Sequence, residues 1–508
     1  MPKETTRRTF VRNSARGVAA ITGGLAFLSR LPHVSADEAN LKPELVQFDE
    51  NIEPLVQLIE ESSRDKLLER VAEQIRQGRS YREVLAALLL AGIRNVQPRP
   101  SVGFKFHCVL VVNACHLASL SGPDSDRWLP IFWALDYFKS SQADEKKSSG
   151  WRMKPVNKSL VPDARSSRSL FIEAMDNWDV EKADVATAGL VRTVGATEVF
   201  NLFARYAARD FRSIGHKAIY LANAWRTLQV IGWQFSEPVL RSLTFAMLNH
   251  SGEANPAASD LDADRPWRQN AELLERLPEN WLIGRVDDGV PTNLIDVFRM
   301  DSPLAAAKTA ADALSRGVAP QSVWDGVFLG AGELLMQQPG IIGIHGLTTA
   351  NAMHYLWQNT ADNDLRQQLL LQACSFTPMF RESAKGRGKL GEQSIVSLQS
   401  TVPEDKEQPL AEILSEISSN RMKAAEKVHG FLSAGGHGRD FVDAARQTLF
   451  LKGRDAHDYK FSSAVLEDYG HVSAAWRDRF LASAVFNLKG SGDPDSQLVT
   501  RTRSALEG

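Results

Sequence analysis

The chain has 508 residues, with 59 Lys and Arg against 61 Asp and Glu and a formal charge of -2. That balance leaves no basic excess to pair with phosphates and argues against nucleic acid as a partner. The length allows two or more cores, and three cysteines (Cys108, Cys115, Cys374) are too few for a disulfide framework.

The first element is Thr6-Arg7-Arg8-Thr9-Phe10-Val11, followed by an apolar, small-residue run from Gly17 to Leu28 and by Val34-Ser35-Ala36. It reads as a twin-arginine export signal with an A-x-A-like cleavage site, so residues 1–36 are assigned to the signal and the translocase is an expected partner during export. The apolar run is too short and glycine-rich for a membrane span of about 20 residues. A mature chain starting near Asp37, periplasmic or extracellular, is expected.

Helical spacing begins at Ile52 and runs to Ala91, as in Leu55, Leu58, Ile59, then Leu67, Leu68, Val71 and Ile75. A helix after Gly103 carries the first histidines, and another runs from Trp128 to Phe138. Ser140 to Ser167 reads as a long polar surface loop. Helical pattern returns in Phe171–Trp178, Ala183–Arg209 and Lys217–Val230, and Glu253–Gln269 is a polar connection. Beyond Leu304 come Ala-rich helices to Leu314, a helix from Val323 to Met336, a polar linker from Lys385 to Pro409, and helices from Leu410 onward. No alternating strands occur, so the fold class is all-α, a helical bundle or array.

The organising feature is a repeat. His107-Cys-Val-Leu-Val-Val-Asn113-Ala-Cys-His116 and His345-Gly-Leu-Thr-Thr-Ala-Asn351-Ala-Met-His354 both read H-x5-N-A-x-H. Each follows a small-residue apolar run (Leu88 to Gly92; Phe328 to Gly332) and a Gln-Pro link (Gln97-Pro98; Gln338-Pro339). Downstream, His216 after Gly215 is matched by His457 after Asp455-Ala456. His107 to His345 is 238 positions and His216 to His457 is 241, nearly one constant shift. Two tandem, pseudo-twofold-related halves, residues 37–300 and 301–508, are therefore expected, with four histidines in two equivalent pairs around a shared site.

Nine positions along an α-helix rotate a side chain by about 900°, half a turn from its start. His107 and His116 thus face opposite ways, as do His345 and His354, so His116 and His354, with Asn113 and Asn351, are supports or interface residues. The inner set is His107, His216, His345 and His457. Neutral imidazole binds iron, zinc, copper or nickel without a nearby negative charge, and a four-nitrogen set leaves the 2+ charge intact, favouring an anionic oxygen ligand. Lys460, three residues after His457, shares its helical face; as a carboxylated lysine it would supply that oxygen. Cys108 and Cys115 correspond to Gly346 and Met353 in the second repeat, which reads as small buried packing rather than thiolate ligation. His250, His429, His437 and His471 lack repeat counterparts, and His33 falls in the signal.

At these residues the sequence resembles the questin oxidase-like family. Members carry a His-rich N-terminal helix, a central H-P-x-I-H-L-G-Y, a later M-H-x-V-T-[ST] and a final D-x-H-x-x-K-x-x-R-A. The matching stretches are Phe106-His107 with the helix to His116, His216-Lys217-Ala-Ile-Tyr220, Ile344-His345-Gly-Leu-Thr348-Thr349, and Asp455-Ala-His457-Asp-Tyr-Lys460 with Ala464. Their order and approximate spacing agree across most of the mature chain. Lys217 and Tyr220 replace the proline and second histidine of the central motif, and Ser463 replaces the arginine of the last.

The resemblance implies a helical oxygenase of aromatic polyketides. It implies non-haem Fe(II) held by His107, His216, His345 and His457, with Lys460 as fifth ligand in carboxylated form. Substrates would be a small phenolic or quinonoid compound and O2, with Tyr220 as a hydrogen-bond donor near His216. A zinc-type metallohydrolase using the same histidines, and a non-enzymatic helical scaffold of the cell envelope, are the alternatives.

Overall fold

The computed structural model describes residues 45–98, 106–248, 255–256 and 258–507. The expected export signal lies outside the described residues, as does His250. Among the described residues there are twenty-two α-helices, five short 3-10 turns and no β-strand; one isolated bridge joins Arg285 and Val318. The all-α expectation holds. Leu45–Gly508 forms one compact unit with a continuous apolar core, and no helix among the described residues is long and apolar enough to cross a membrane.

Seven helices position the histidines: α1 (Tyr81–Asn95), α2 (His107–Ser121), α3 (His216–Ile231), α4 (Pro320–Gln337), α5 (Ile341–Asn359), α6 (Asn363–Lys385) and α7 (Ala456–Asp468). In α2 and α5 apolar residues occupy every face, and nearly every position is buried, as expected of a helix with no solvent side. Small residues let such helices approach: a methyl group on Gly92 of α1 would lie 2.8 Å from Val109 of α2, and one on Gly343 of α5 would lie 2.9 Å from the Leu335 backbone of α4.

The four histidine-bearing helices form a ring in which α2 packs on α7, α7 on α5, α5 on α3 and α3 on α2. His107 and His216 open their helices, His457 is second in its own, and His345 is fifth. One to two turns further in, Asn113, Asn223, Asn351 and Ser463 line a single small cavity. The two layers follow one another in the same chain direction on all four helices, so the ring is a parallel bundle with its four N-termini at the histidine end. Antiparallel neighbours with short loops are the common alternative; here the other helices carry each return path.

Several boundaries differ from the sequence expectation. The helix expected to end at Phe138 continues to Ser148, because Asp136, Lys139, Gln142 and Glu145 are buried and paired instead of solvated: Asp136 pairs with Arg64, and Lys139 donates to the Glu60 carbonyl. The surface loop from Ser140 shrinks accordingly. The stretch Ala183–Arg209 is two helices, Val180–Thr193 and Ala196–Ala208, broken at Val194-Gly195. Gly289–Met300 is a helix that periodicity alone did not reveal, and Arg265–Leu273 interrupts the expected polar connection.

Candidate metal centre

Each histidine is aimed by a local device. Gly215 adopts φ +80° and Ile214 φ +43°, a left-handed turn that starts α3 at His216. A side chain on Gly215 would also collide with Thr349 of α5, so glycine is required for conformation and for space. α7 begins with a reciprocal cap in which Asp455 accepts from the His457 and Asp458 amides and Asp458 accepts from the Asp455 amide. Asp455 stands 3.7 Å from His457 Nδ1, an electrostatic contact rather than a hydrogen bond.

The four imidazoles converge. His216 Nε2 lies 3.3 Å from His107 Nε2 and 3.0 Å from His345 Nε2. Ligand nitrogens of His107, His345 and His457 all lie within 4.8 Å of one another. All four residues are buried. With metal–nitrogen bonds of about 2.0–2.1 Å, nitrogens at right angles sit about 3.0 Å apart and tetrahedral ones about 3.4 Å. The separations around His216 match edges of such a polyhedron.

Backbone contacts fix two tautomers. His216 Nδ1 is 2.8 Å from the Ser213 carbonyl, and His345 Nδ1 is 2.6 Å from the Ile341 carbonyl. A carbonyl oxygen only accepts, so each Nδ1 carries the hydrogen and each Nε2 presents a lone pair. Those lone pairs face each other at 3.0 Å. Protonating either ring would relieve the repulsion, but burial, reinforced by neighbouring cationic groups, holds His345 well below its ordinary value and His216 down to about 3. Burial, then the Lys460 charge, also lowers His107 and His457.

Lys460 is buried one turn below His457, and burial pulls its ammonium down to about 7. Among the described residues no hydrogen bond or ion pair holds it. It lines the cavity with Asn113, Asn223, Asn351, Arg226 and Ser463; at about 20 Å³ this space suits roughly one water molecule. Tyr220 does not join the cluster. Its ring stands edge-on to Phe106, 4.9 Å between centroids, and its buried hydroxyl lies beside Ser242 on a neighbouring helix, with no hydrogen bond to an imidazole.

The outer histidines point elsewhere, as half-turn geometry requires. His116 Nδ1 meets the Tyr81 hydroxyl at 3.1 Å, and the His354 ring packs on Trp324 and His471. The three cysteines are buried and unbridged, with thiols pushed up by burial, which suits packing and not ligation. Sequence reasoning missed the Ser213 and Ile341 carbonyls, since backbone acceptors leave no letter, and it missed His471, which pairs with Asp468 at 3.2 Å. Asp455, the cap beside His457, did have a signal: an Asp-x-x-Asp start to a helix.

No family model matches the chain, and neither a curated protein nor a solved structure shows a match.

Proposed function

We propose that His107, His216, His345 and His457 hold one divalent transition-metal ion, and that the protein is an exported, metal-dependent oxygenase acting on a small phenolic or quinonoid compound with O2. The observation that carries the metal is the pair of lone pairs on His216 and His345 at 3.0 Å, each ring locked by a carbonyl and too buried to take a proton. A cation between them turns repulsion into two bonds. The oxygenase part draws on the resemblance and on an all-nitrogen set that suits iron.

Four neutral imidazoles and four helix N-termini, each worth about half a positive charge, leave the centre strongly positive once an ion is present. An anionic oxygen donor is then favoured. Lys460, buried one turn from His457, is the candidate for that donor: its amine, neutral above about pH 7, would add to CO2 through a new N–C bond and release one proton, leaving a carbamate. Iron, when bound, supplies Lewis acidity and one-electron chemistry toward O2. The chain's own residues orient it through Ser213, Ile341 and the Asp455 cap, and exclude water by burial.

Elemental analysis of the exported protein, with oxygen uptake on a phenol, tests the reading. About one iron per chain and phenol-dependent uptake are expected. Zinc without uptake would redirect the site to hydrolysis by metal-bound hydroxide, and full metal occupancy in the combined His216→Ala and His345→Ala variant would remove the centre altogether.

A further inference from the structure

The cavity beside Lys460 holds only about 20 Å³, but a cleft of about 860 Å³ lies along α6, which packs on α5. Its volume is within the range of small-molecule sites, about 300–1,000 Å³. The inner wall is aromatic. Phe211 stands edge-on to Phe380 of α6 with centroids 4.7 Å apart, and Phe211 precedes His216 by five residues. The Phe380 ring lies 3.9 Å from where a side chain on Gly346 would begin, and Gly346 directly follows His345. These two rings thus link the cleft wall to the segments that carry His216 and His345.

The charge pattern in the cleft is uneven in a useful way. Arg299 is held by both oxygens of Glu333, Arg265 by Asp260 and Asp262, and Lys385 by Glu382. Arg381 has no carboxylate in ion-pair contact among the described residues: its nearest negative charge, Glu333, is gripped by Arg299, it donates one hydrogen bond to Gln337, and its buried Nε has no acceptor. It projects from α6 beside Pro378 and Met379, where proline also removes an amide from the helix interior. At the rim Met300 is 83% exposed.

We propose that this cleft binds a planar aromatic monoanion, with its ring against Phe211, Phe298 and Met379 and its carboxylate or phenolate on Arg381. A half-buried guanidinium whose nearest carboxylate is already committed to Arg299 is stabilised by a planar anion that it can grip with two N–H groups, and apolar walls accept the ring. That this anion is also the compound oxidised at the histidines rests on the reading above; its binding in the cleft does not.

The test is calorimetric titration of the full chain, as purified and after chelation, with 2-naphthoate and its uncharged isostere 2-naphthamide. Arg381→Gln is expected to weaken naphthoate about tenfold or more and to leave the amide within about twofold, the loss typical of a charge-assisted hydrogen bond. Met300→Asp, a surface change that spares folding, is expected to weaken naphthoate several-fold through like-charge repulsion. No binding by the unaltered chain, or equal naphthoate affinity in the unaltered chain and both variants, overturns the proposal. Naphthoate binding that chelation abolishes and the cleft variants do not touch places the ligand at the histidines and overturns the cleft while sparing the centre. Cleft binding by an unaltered chain that takes up no metal when iron or zinc is supplied supports the cleft and defeats the other reading.

Discussion

The two ends of the parallel bundle are built from the same four helices and solve opposite problems. At the far end Arg226 donates to Glu467 at 2.8 Å and to Asn351 at 3.2 Å, while Asn351 donates to Glu467 and Asp468, each at 2.8 Å, and Asp468 meets His471. Donors there find acceptors. At the near end the nitrogens of His216 and His345 confront one another with no hydrogen to share. At the far end Asp468 Oδ2 and Asn113 Oδ1 are left over, but these are single acceptors in a network that is otherwise paired, whereas at the histidine end two lone pairs are aimed at each other. The first reads as structure and the second as a place prepared for something else.

Changes at the two ends should therefore separate metal binding from stability. The largest expected effect is on metal content: His216→Ala with His345→Ala should drop it below about a tenth of the unaltered chain, since ligand losses exceed the 10–100-fold cost typical of outer-shell changes. Elemental analysis after dialysis checks this, and retention would erase the contrast between the ends.

Next is the pH dependence of the metal-free chain. Lys460 titrates at about 7 when folded and near 10.5 when unfolded, so between those values only the unfolded state holds the proton. Stability should rise with pH across that window, by several kcal/mol at most (roughly 1.4 kcal/mol per pH unit), and Lys460→Met should flatten the rise in thermal melts. His216 runs by the same sign lower down: its stabilising contribution is present above about 6.5 and lost as pH falls toward about 3.

Asn351→Ala should cost about 2–3 kcal/mol in urea unfolding, because it removes one hydrogen bond to each of the Glu467 and Asp468 carboxylates and leaves each oxygen with a single partner, yet leave metal content unchanged. Metal loss there would mean that the two ends act as one. Tyr81→Phe, which removes the hydroxyl partner of the outward-facing His116, should cost only about 1 kcal/mol and no metal.

Periodicity made the helices legible, and the repeated H-x5-N-A-x-H with its half-turn spacing separated inward from outward histidines before any coordinates. What stayed hidden was carried by atoms that sequence does not spell. The carbonyls of Ser213 and Ile341 choose the tautomers, and they would do so for any residue at those positions. The extension of a helix to Ser148 was masked by its charged residues, whose partners Arg64 and Glu60 lie far away in sequence. His471 was set aside for want of a repeat counterpart, yet spatially it stands against His354. The Tyr220 hydroxyl, expected near His216, instead lies beside Ser242, because its ring packs against Phe106.

The order of helices around the ring sets when such a centre can exist. Neighbours α2 and α7 meet through Ser463, which donates to the Ala114 carbonyl 349 residues earlier. A nascent polypeptide ending anywhere before Ala456 therefore lacks one wall and one imidazole, however well its earlier helices have formed. On the reading proposed above, loading waits for the fourth wall, so a chain cut short of α7 offers three imidazoles and an open side.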